Sequence, residues 1–184
     1  MKITIHKINE ERMEDYLAFF EKGNQCFCCS WTSNEFNGEN FERIETRKNY
    51  AVTSIKNRKL QGYLAYEQGK VIGWCNTNEK NQCVQCEGWR QILTSVRQEP
   101  SQKVKSIFCF YVHPEYQQMG VASKLLERII IDAREEGFDI LEAYPDKSFN
   151  ELYQEFMGPQ QLYHNFGFEA LYEIDEKIVV RKLL

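Results

Sequence analysis

The sequence predicts an α/β (α+β) protein: one domain over residues 1–184, built on a mixed twisted sheet of about six or seven strands with helices on both faces. Three observations predict it. Strand-like and helix-like stretches follow one another as β-α-α-β-β-β-α-β-α-β-β, an order that suits a sheet covered on both sides. A strand–helix–strand unit over 104–144 reads as a parallel crossover. The 184 residues are 42% hydrophobic with only four prolines and no internal repeat or low-complexity linker, which suits one continuous core.

The elements follow in order. Residues 2–8 alternate as a strand. Asn9 is a suitable N-cap for a helix over 10–21, where Met13, Tyr16, Leu17 and Phe20 share a face and Gly23 ends the run. Residues 24–40 are irregular and rich in Cys, Asn and aromatics, and a second helix is expected over 41–57. Residues 62–66 and 71–76 predict a hairpin turning at Glu67-Gln68-Gly69-Lys70. The stretch 77–102 has no clear period beyond a short helix over 89–96. Residues 104–112, Val-Lys-Ser-Ile-Phe-Cys-Phe-Tyr-Val, form a strongly apolar strand. Ala122, Leu125, Leu126, Ile129 and Ala133 then make one helical stripe that Gly137 closes. A strand over 138–144, a helix over 152–166 broken at Gly158-Pro159, and two strands over 168–174 and 177–183 complete the chain.

Composition removes several classes of function. The net charge is −4 and the 23 Lys and Arg are dispersed, which argues against a nucleic-acid partner. The N-terminus is too short and polar for a secretory leader, and nothing approaches the roughly 20 apolar residues of a membrane span. A soluble, cytoplasmic protein is expected. Its seven cysteines then read as reduced thiols rather than a disulfide framework. Cys26-Phe27-Cys28-Cys29 and Cys83-Val84-Gln85-Cys86 hold enough thiols for a zinc site, but the first spacing is tight and no histidine lies nearby. Small buried hydrophobes are the competing reading, and no metal is expected.

The chemistry concentrates in residues 111–126. A strand ends at Val112, Pro114 stops the ladder, and a loop enters a helix near Gly120. Small residues and free amides at a helix start make an anion site, here expected to take a pyrophosphate. The same pattern also suits a tight strand-to-helix turn with nothing bound. It is neither a P-loop nor a dinucleotide fingerprint, because the Gly-Lys-Ser/Thr and the three-glycine spacing are absent.

Gln117-x-x-Gly120-x-Ala122 after Val112-x-Pro114, followed by Leu125-Leu126, resembles the coenzyme A-binding motif of the GNAT superfamily of N-acetyltransferases. Leu162-Tyr163-His164-Asn165-Phe166-Gly167-Phe168 is similar to that superfamily's Leu-Tyr-x-x-x-Gly-Phe signature. The resemblance implies the GNAT fold and acetyl transfer from acetyl-CoA to a primary amine by direct attack. It implies that backbone groups of Phe110 and Val112 hold the pantetheine arm. Gln117, Gln118, Gly120, Val121, Ala122 and Ser123 would form the pyrophosphate loop, and Tyr163 would be the acid that protonates the departing thiolate. A tyrosine, with an ordinary pKa of roughly 10, suits that task. A splay or bulge near Phe110 is expected to expose an amide to the oxyanion.

Several residues keep two readings. Tyr163 also suits a core aromatic. Glu142 is a candidate base or a carboxylate paired with Lys or Arg at the sheet's open end, and Glu87 is a weaker candidate base. Residues 24–40, with Trp31 and Phe36, read as a substrate lid or as a loop folded on the core. The sequence departs from the family at Phe156, where an asparagine is frequent, and in the long 146–160 stretch. Those departures leave a non-catalytic CoA-binding or sensor module as an alternative, and the cysteine clusters leave a metal- or redox-regulated binding protein. The acceptor is a small-molecule or peptide amine, and a homodimer is compatible with the resemblance.

Overall fold

The computed structural model describes residues 1–34, 42–148 and 156–184. Its elements are β1 (Ile3–Lys7), α1 (Met13–Lys22), α2 (Ile44–Lys56), β2 (Gly62–Glu67), β3 (Lys70–Glu79), α3 (Lys80–Cys83), α4 (Glu87–Ile92), β4 (Val104–Val112), α5 (Val121–Glu135), β5 (Ile140–Ala143), α6 (Gln160–Asn165), β6 (Glu169–Ile174) and β7 (Lys177–Leu183). The strands make one seven-stranded sheet in the order β1-β2-β3-β4-β5-β7-β6. Every neighbour pair is antiparallel except β4 and β5. The expected crossover through α5 is therefore present.

Each face of the sheet carries its own core. One gathers Leu125, Leu126 and Ile129 of α5 with Ile107, Phe110, Leu141, Ala143, Leu162 and Tyr163. The other gathers Tyr16, Leu17 and Phe20 of α1 with Trp31, Trp74, Trp89, Phe108, Tyr144 and Met157. Alternation along β5 explains the division: Leu141 and Ala143 face α5, and Tyr144 belongs to the other side.

β4 breaks that alternation. Thr77 pairs with Ile107 but the preceding Asn76 pairs with Cys109, so Phe108 is an extra residue. Phe108 and Cys109 consequently lie on the same face, between Ile107 and Phe110 on the opposite one. Pairing of β4 with β5 covers only Val104↔Ile140 to Ile107↔Ala143. Beyond the bulge the two strands are no longer hydrogen-bonded to each other.

Several expected boundaries shift. Asn9 accepts the Arg12 amide, as a cap should, but the first turn is 3-10 and the α-helix begins at Met13. β3 extends to Glu79, and two short helices, Lys80–Cys83 and Glu87–Ile92, replace the single helix expected over 89–96. Leu93 ends the second because it leaves helical geometry to bury its side chain completely. Near the C-terminal signature only Gln160–Asn165 is helical. Pro159 precedes it in extended geometry, as expected of a residue that cannot continue a preceding helix. The remainder of the expected 152–166 helix begins outside the described residues, as does Phe41 of the second helix.

Candidate functional site

The site forms where β4 runs out. His113 accepts the Glu115 amide through Nδ1 and opens a single 3-10 turn over Pro114–Tyr116. Gln118 and Gly120 then take left-handed backbone conformations, with φ of 60° and 80°. Glycine adopts that geometry without a steric cost, and it turns the chain into α5. Gly120 is the N-cap of α5 and has no side chain to satisfy the first-turn amides; no acidic residue occupies that turn. Lys124 is the first residue whose amide returns to Gly120, at 3.0 Å. The amides of Val121, Ala122 and Ser123 remain as donors at the positive end of a 15-residue helix.

A cavity of 510 Å³ lies over this loop. Its walls include all eight residues expected to bind the cofactor: Phe110, Val112, Gln117, Gln118, Gly120, Val121, Ala122 and Ser123. The opposite wall is Gly158, Pro159, Gln161, Leu162 and Asn165, with Tyr116 between them. Among the described residues, none in that lining is charged. An anion held here would meet backbone amides and a helix dipole rather than Lys or Arg. Gln117 ties the loop to the strand, its side-chain amide donating to the Val112 carbonyl at 3.3 Å. A larger cavity, 690 Å³, lies among Lys7, Arg58, Tyr63 and Lys105, away from both motifs. Lys105 there is already paired with Glu136 at 2.5 Å, so volume alone does not identify the site.

Tyr163 lies directly behind the cavity wall. A Cβ placed on Gly158 would lie 3.4 Å from the Tyr163 hydroxyl and 3.2 Å from the Phe110 ring. The tyrosine is fully buried, and its hydroxyl donates to the Met157 carbonyl at 2.5 Å. Burial first, then the neighbouring Cys75 and Cys109, push its pKa well above the ordinary tyrosine value. Tyr163 is thus packed among core aromatics and carries a protonated hydroxyl.

Glu142 is not brought to Tyr163. It is completely buried, with one oxygen 2.7 Å from Lys80 and 2.8 Å from the Tyr144 hydroxyl and the other against Arg181. Ser106 and Tyr144 extend the network, 2.6 Å apart. With both oxygens engaged, the geometry matches the paired carboxylate, not a base open to an incoming amine. Glu87 binds Arg90 at 2.6 Å and is likewise engaged.

Trp31 stacks on Phe108 with ring centroids 4.6 Å apart and is 4% exposed. Over 24–34 the chain is therefore a loop folded on the core; Phe36 lies outside the described residues. Six of the seven cysteines are buried and all are free. The Trp74 indole donates to the Cys28 sulfur at 3.2 Å. Among the described residues no three His, Cys, Asp or Glu side chains converge as a metal-binding group.

The sequence alone does not assign Gly158 and Pro159 to the cavity wall. The Gly158-Pro159 pair was its signal: a positive-φ glycine before a proline marks a break in helical geometry at which the backbone approaches another group.

The model of the family described as Acetyltransferase (GNAT) matches residues 9–159. The fold is similar to that of PaiA N-acetyltransferase from Thermoplasma acidophilum, solved in complex with coenzyme A, with a TM-score of 0.60 and 15% identity over 100% of both chains. It is also similar to a GNAT acetyltransferase from Streptococcus pneumoniae (TM-score 0.58, 17% identity, 100% of both chains). A third similar structure is the ribosomal-protein-alanine N-acetyltransferase of Brucella melitensis, with a TM-score of 0.57 and 18% identity over 98% of this chain and 99% of that one. No curated protein matches the sequence.

Proposed function

The chain belongs to the GNAT acetyltransferase family, and on that premise we propose that it transfers the acetyl group of acetyl-CoA to a primary amine by direct attack within a ternary complex, using the loop at Gly120 and the hydroxyl of Tyr163. Acetyl-CoA supplies the activated thioester. The chain's own groups do the rest. The amides of Val121, Ala122 and Ser123, at an uncapped helix start, suit a pyrophosphate. The edge of β4 at Phe110 and Val112, free of β5 beyond the bulge, offers backbone groups to an extended amide-bearing arm. Tyr163, protonated across the physiological range, can donate to a departing thiolate, and the Phe110 amide can donate to a developing oxyanion. No group of the protein needs to be acylated.

The observation that carries this reading is the convergence of all eight motif residues on one cavity at the start of α5. Titration calorimetry of acetyl-CoA tests it. Wild-type protein should bind in the micromolar range, roughly −8 kcal/mol, and Gly120→Glu should not. A folded wild-type protein that binds nothing would reduce the loop to a turn.

The acceptor we propose is a small-molecule or peptide amine. Glu142 is assigned a structural role, leaving deprotonation of the amine to solvent or to the acceptor's own equilibrium. No described helix is long and apolar enough to cross a membrane. Together with seven free thiols, this supports a cytoplasmic placement, and the dispersed charge supports an acceptor other than nucleic acid.

A further inference from the structure

Phe110 and Tyr163 each own one hydrogen that the proposed chemistry requires, and the protein has already used both. The Phe110 amide donates to the Phe156 carbonyl at 2.5 Å, and the Tyr163 hydroxyl donates to the Met157 carbonyl at 2.5 Å. Two consecutive carbonyls of one short segment therefore occupy the two donors. The segment sits where β4 and β5 have parted, past the last pair Ile107↔Ala143. The Met157 side chain is 1% exposed and is anchored in the core on the α1 face, whereas Phe110, Leu162 and Tyr163 belong to the α5 face. The chain thus passes through the gap between the two strands. Gly158 completes the passage with φ of 81°, at a point where a Cβ would meet the Phe110 ring at 3.2 Å and the Tyr163 hydroxyl at 3.4 Å. Gln160 holds the downstream end, donating to the carbonyls of Asp146 and Lys147 at 2.9 and 2.8 Å.

We infer that the 156–158 segment is an internal plug that imitates the acyl carbonyl, and that binding of acetyl-CoA requires its withdrawal. The inference rests on the proposed function for the identity of the ligand. Its physical basis is exclusion: the Phe110 N–H and the Tyr163 O–H cannot be donated to internal carbonyls and, at the same time, to the acyl oxygen and the thioester sulfur of a bound acetyl-CoA. The empty enzyme is therefore held in a state that lacks both donors. Apparent affinity is reduced by the fraction of molecules with the plug withdrawn. The burial of Met157 and the tolerance of Gly158 for positive φ set that fraction. Gly158 favours the plugged state because an alanine there would be strained only while the plug is seated.

The test is stopped-flow binding of acetyl-CoA to wild type, Met157→Ala and Gly158→Ala. In wild type the observed rate should level off with rising ligand, because withdrawal limits it. Both variants should raise the plateau and tighten the apparent Kd, by roughly five- to tenfold. Gly158→Ala removes no buried side chain and keeps the test informative should Met157→Ala fold poorly. Independently, oxidation of the wild-type Met157 thioether by dilute peroxide, read by peptide mass spectrometry, should rise severalfold when acetyl-CoA is added. A rate linear in ligand, equal affinities in all three proteins and a Met157 that stays protected would overturn the plug and leave the proposed function standing. No binding by any of the three would remove both.

Discussion

Glu142 and Lys80 form an ion pair 2.7 Å long whose side chains are 0% and 3% exposed. Arg181 takes the other Glu142 oxygen and also reaches Glu99 at 2.6 Å, and Glu99 closes the circuit to Lys80 at 3.1 Å. The network joins β5 and β7 to the irregular stretch after β3. Removing one partner of a buried pair leaves the others uncompensated, at a cost of about 3–5 kcal/mol. Glu142→Ala should therefore lower Tm by roughly 10 °C, at 2–4 °C per kcal/mol for a domain of this size. A thermal scan checks this. A Glu142→Gln protein of unaltered Tm with a hundredfold lower kcat would instead restore the base reading.

The loop at Gly120, as the proposed cofactor site, makes a second prediction, about salt. Because no Lys or Arg lines the cavity among the described residues, acetyl-CoA affinity should change by less than about threefold between 50 and 300 mM NaCl. Ionic contacts in solvent would be screened over that range. A tenfold weakening would show that cations outside the lining carry the binding.

Tyr163→Phe separates catalysis from binding. The hydroxyl holds the Met157 carbonyl, so its loss should loosen the plug and lower the KM for acetyl-CoA rather than raise it, while kcat falls roughly a hundredfold. The variant also strands the Met157 carbonyl, which should cost about 1–3 kcal/mol of stability. Burial holds the Tyr163 pKa above the ordinary tyrosine range, so no loss of kcat below pH 10 should trace to its ionisation. An unaltered kcat would return Tyr163 to packing alone.

Acid sensitivity should arise at the far end of α5. Asp132 lies 3.0 Å from Lys7 and 2.7 Å from Arg128. Glu136 lies 2.5 Å from both Lys7 and Lys105. Burial alone would raise both carboxyls, but hydrogen bonds and charge from these cations hold them below their ordinary values. A lowered carboxyl pKa adds stability that is full above the unfolded value, near 4, and is lost as pH falls through the folded one. Urea midpoints should thus decline below about pH 4, and Asp132→Asn should flatten that decline. Equal slopes for both proteins would refute the assignment.

The thiols should be slow to react. A hydrogen bond with Cys109, then burial, raises Cys28, and burial pushes Cys29 up to about 12. A hydrogen bond between Cys83 and Cys86 raises the first and lowers the second, but both are 1% exposed. Reactivity requires an accessible thiolate. A disulfide reagent at pH 8 should find fewer than about two fast thiols in the native protein and all seven after unfolding. Seven fast thiols in the native state would mean the cysteines are not core residues.

What the sequence by itself determined is local in the chain. The strand over Val104–Val112, the turn at Pro114, Gly120 at the start of α5 and the apolar stripe behind it are consecutive signals, and each has a steric or hydrogen-bonding cause within a few residues. That is why the turn at Gly120 and the start of α5 were legible in the sequence. Tertiary structure decided everything that depends on distant partners. Glu142 is a structural anion because Arg181, 39 residues on, and Lys80 meet it under a covering loop. Trp31 is core because the bulge in β4 turns Phe108 toward it. The 156–158 segment holds the donors of Phe110 and Tyr163 because β4 and β5 separate just there. Hydrophobic period and turn chemistry specify which element forms, whereas a buried charge or a spare N–H acquires its role only from whatever the fold packs against it.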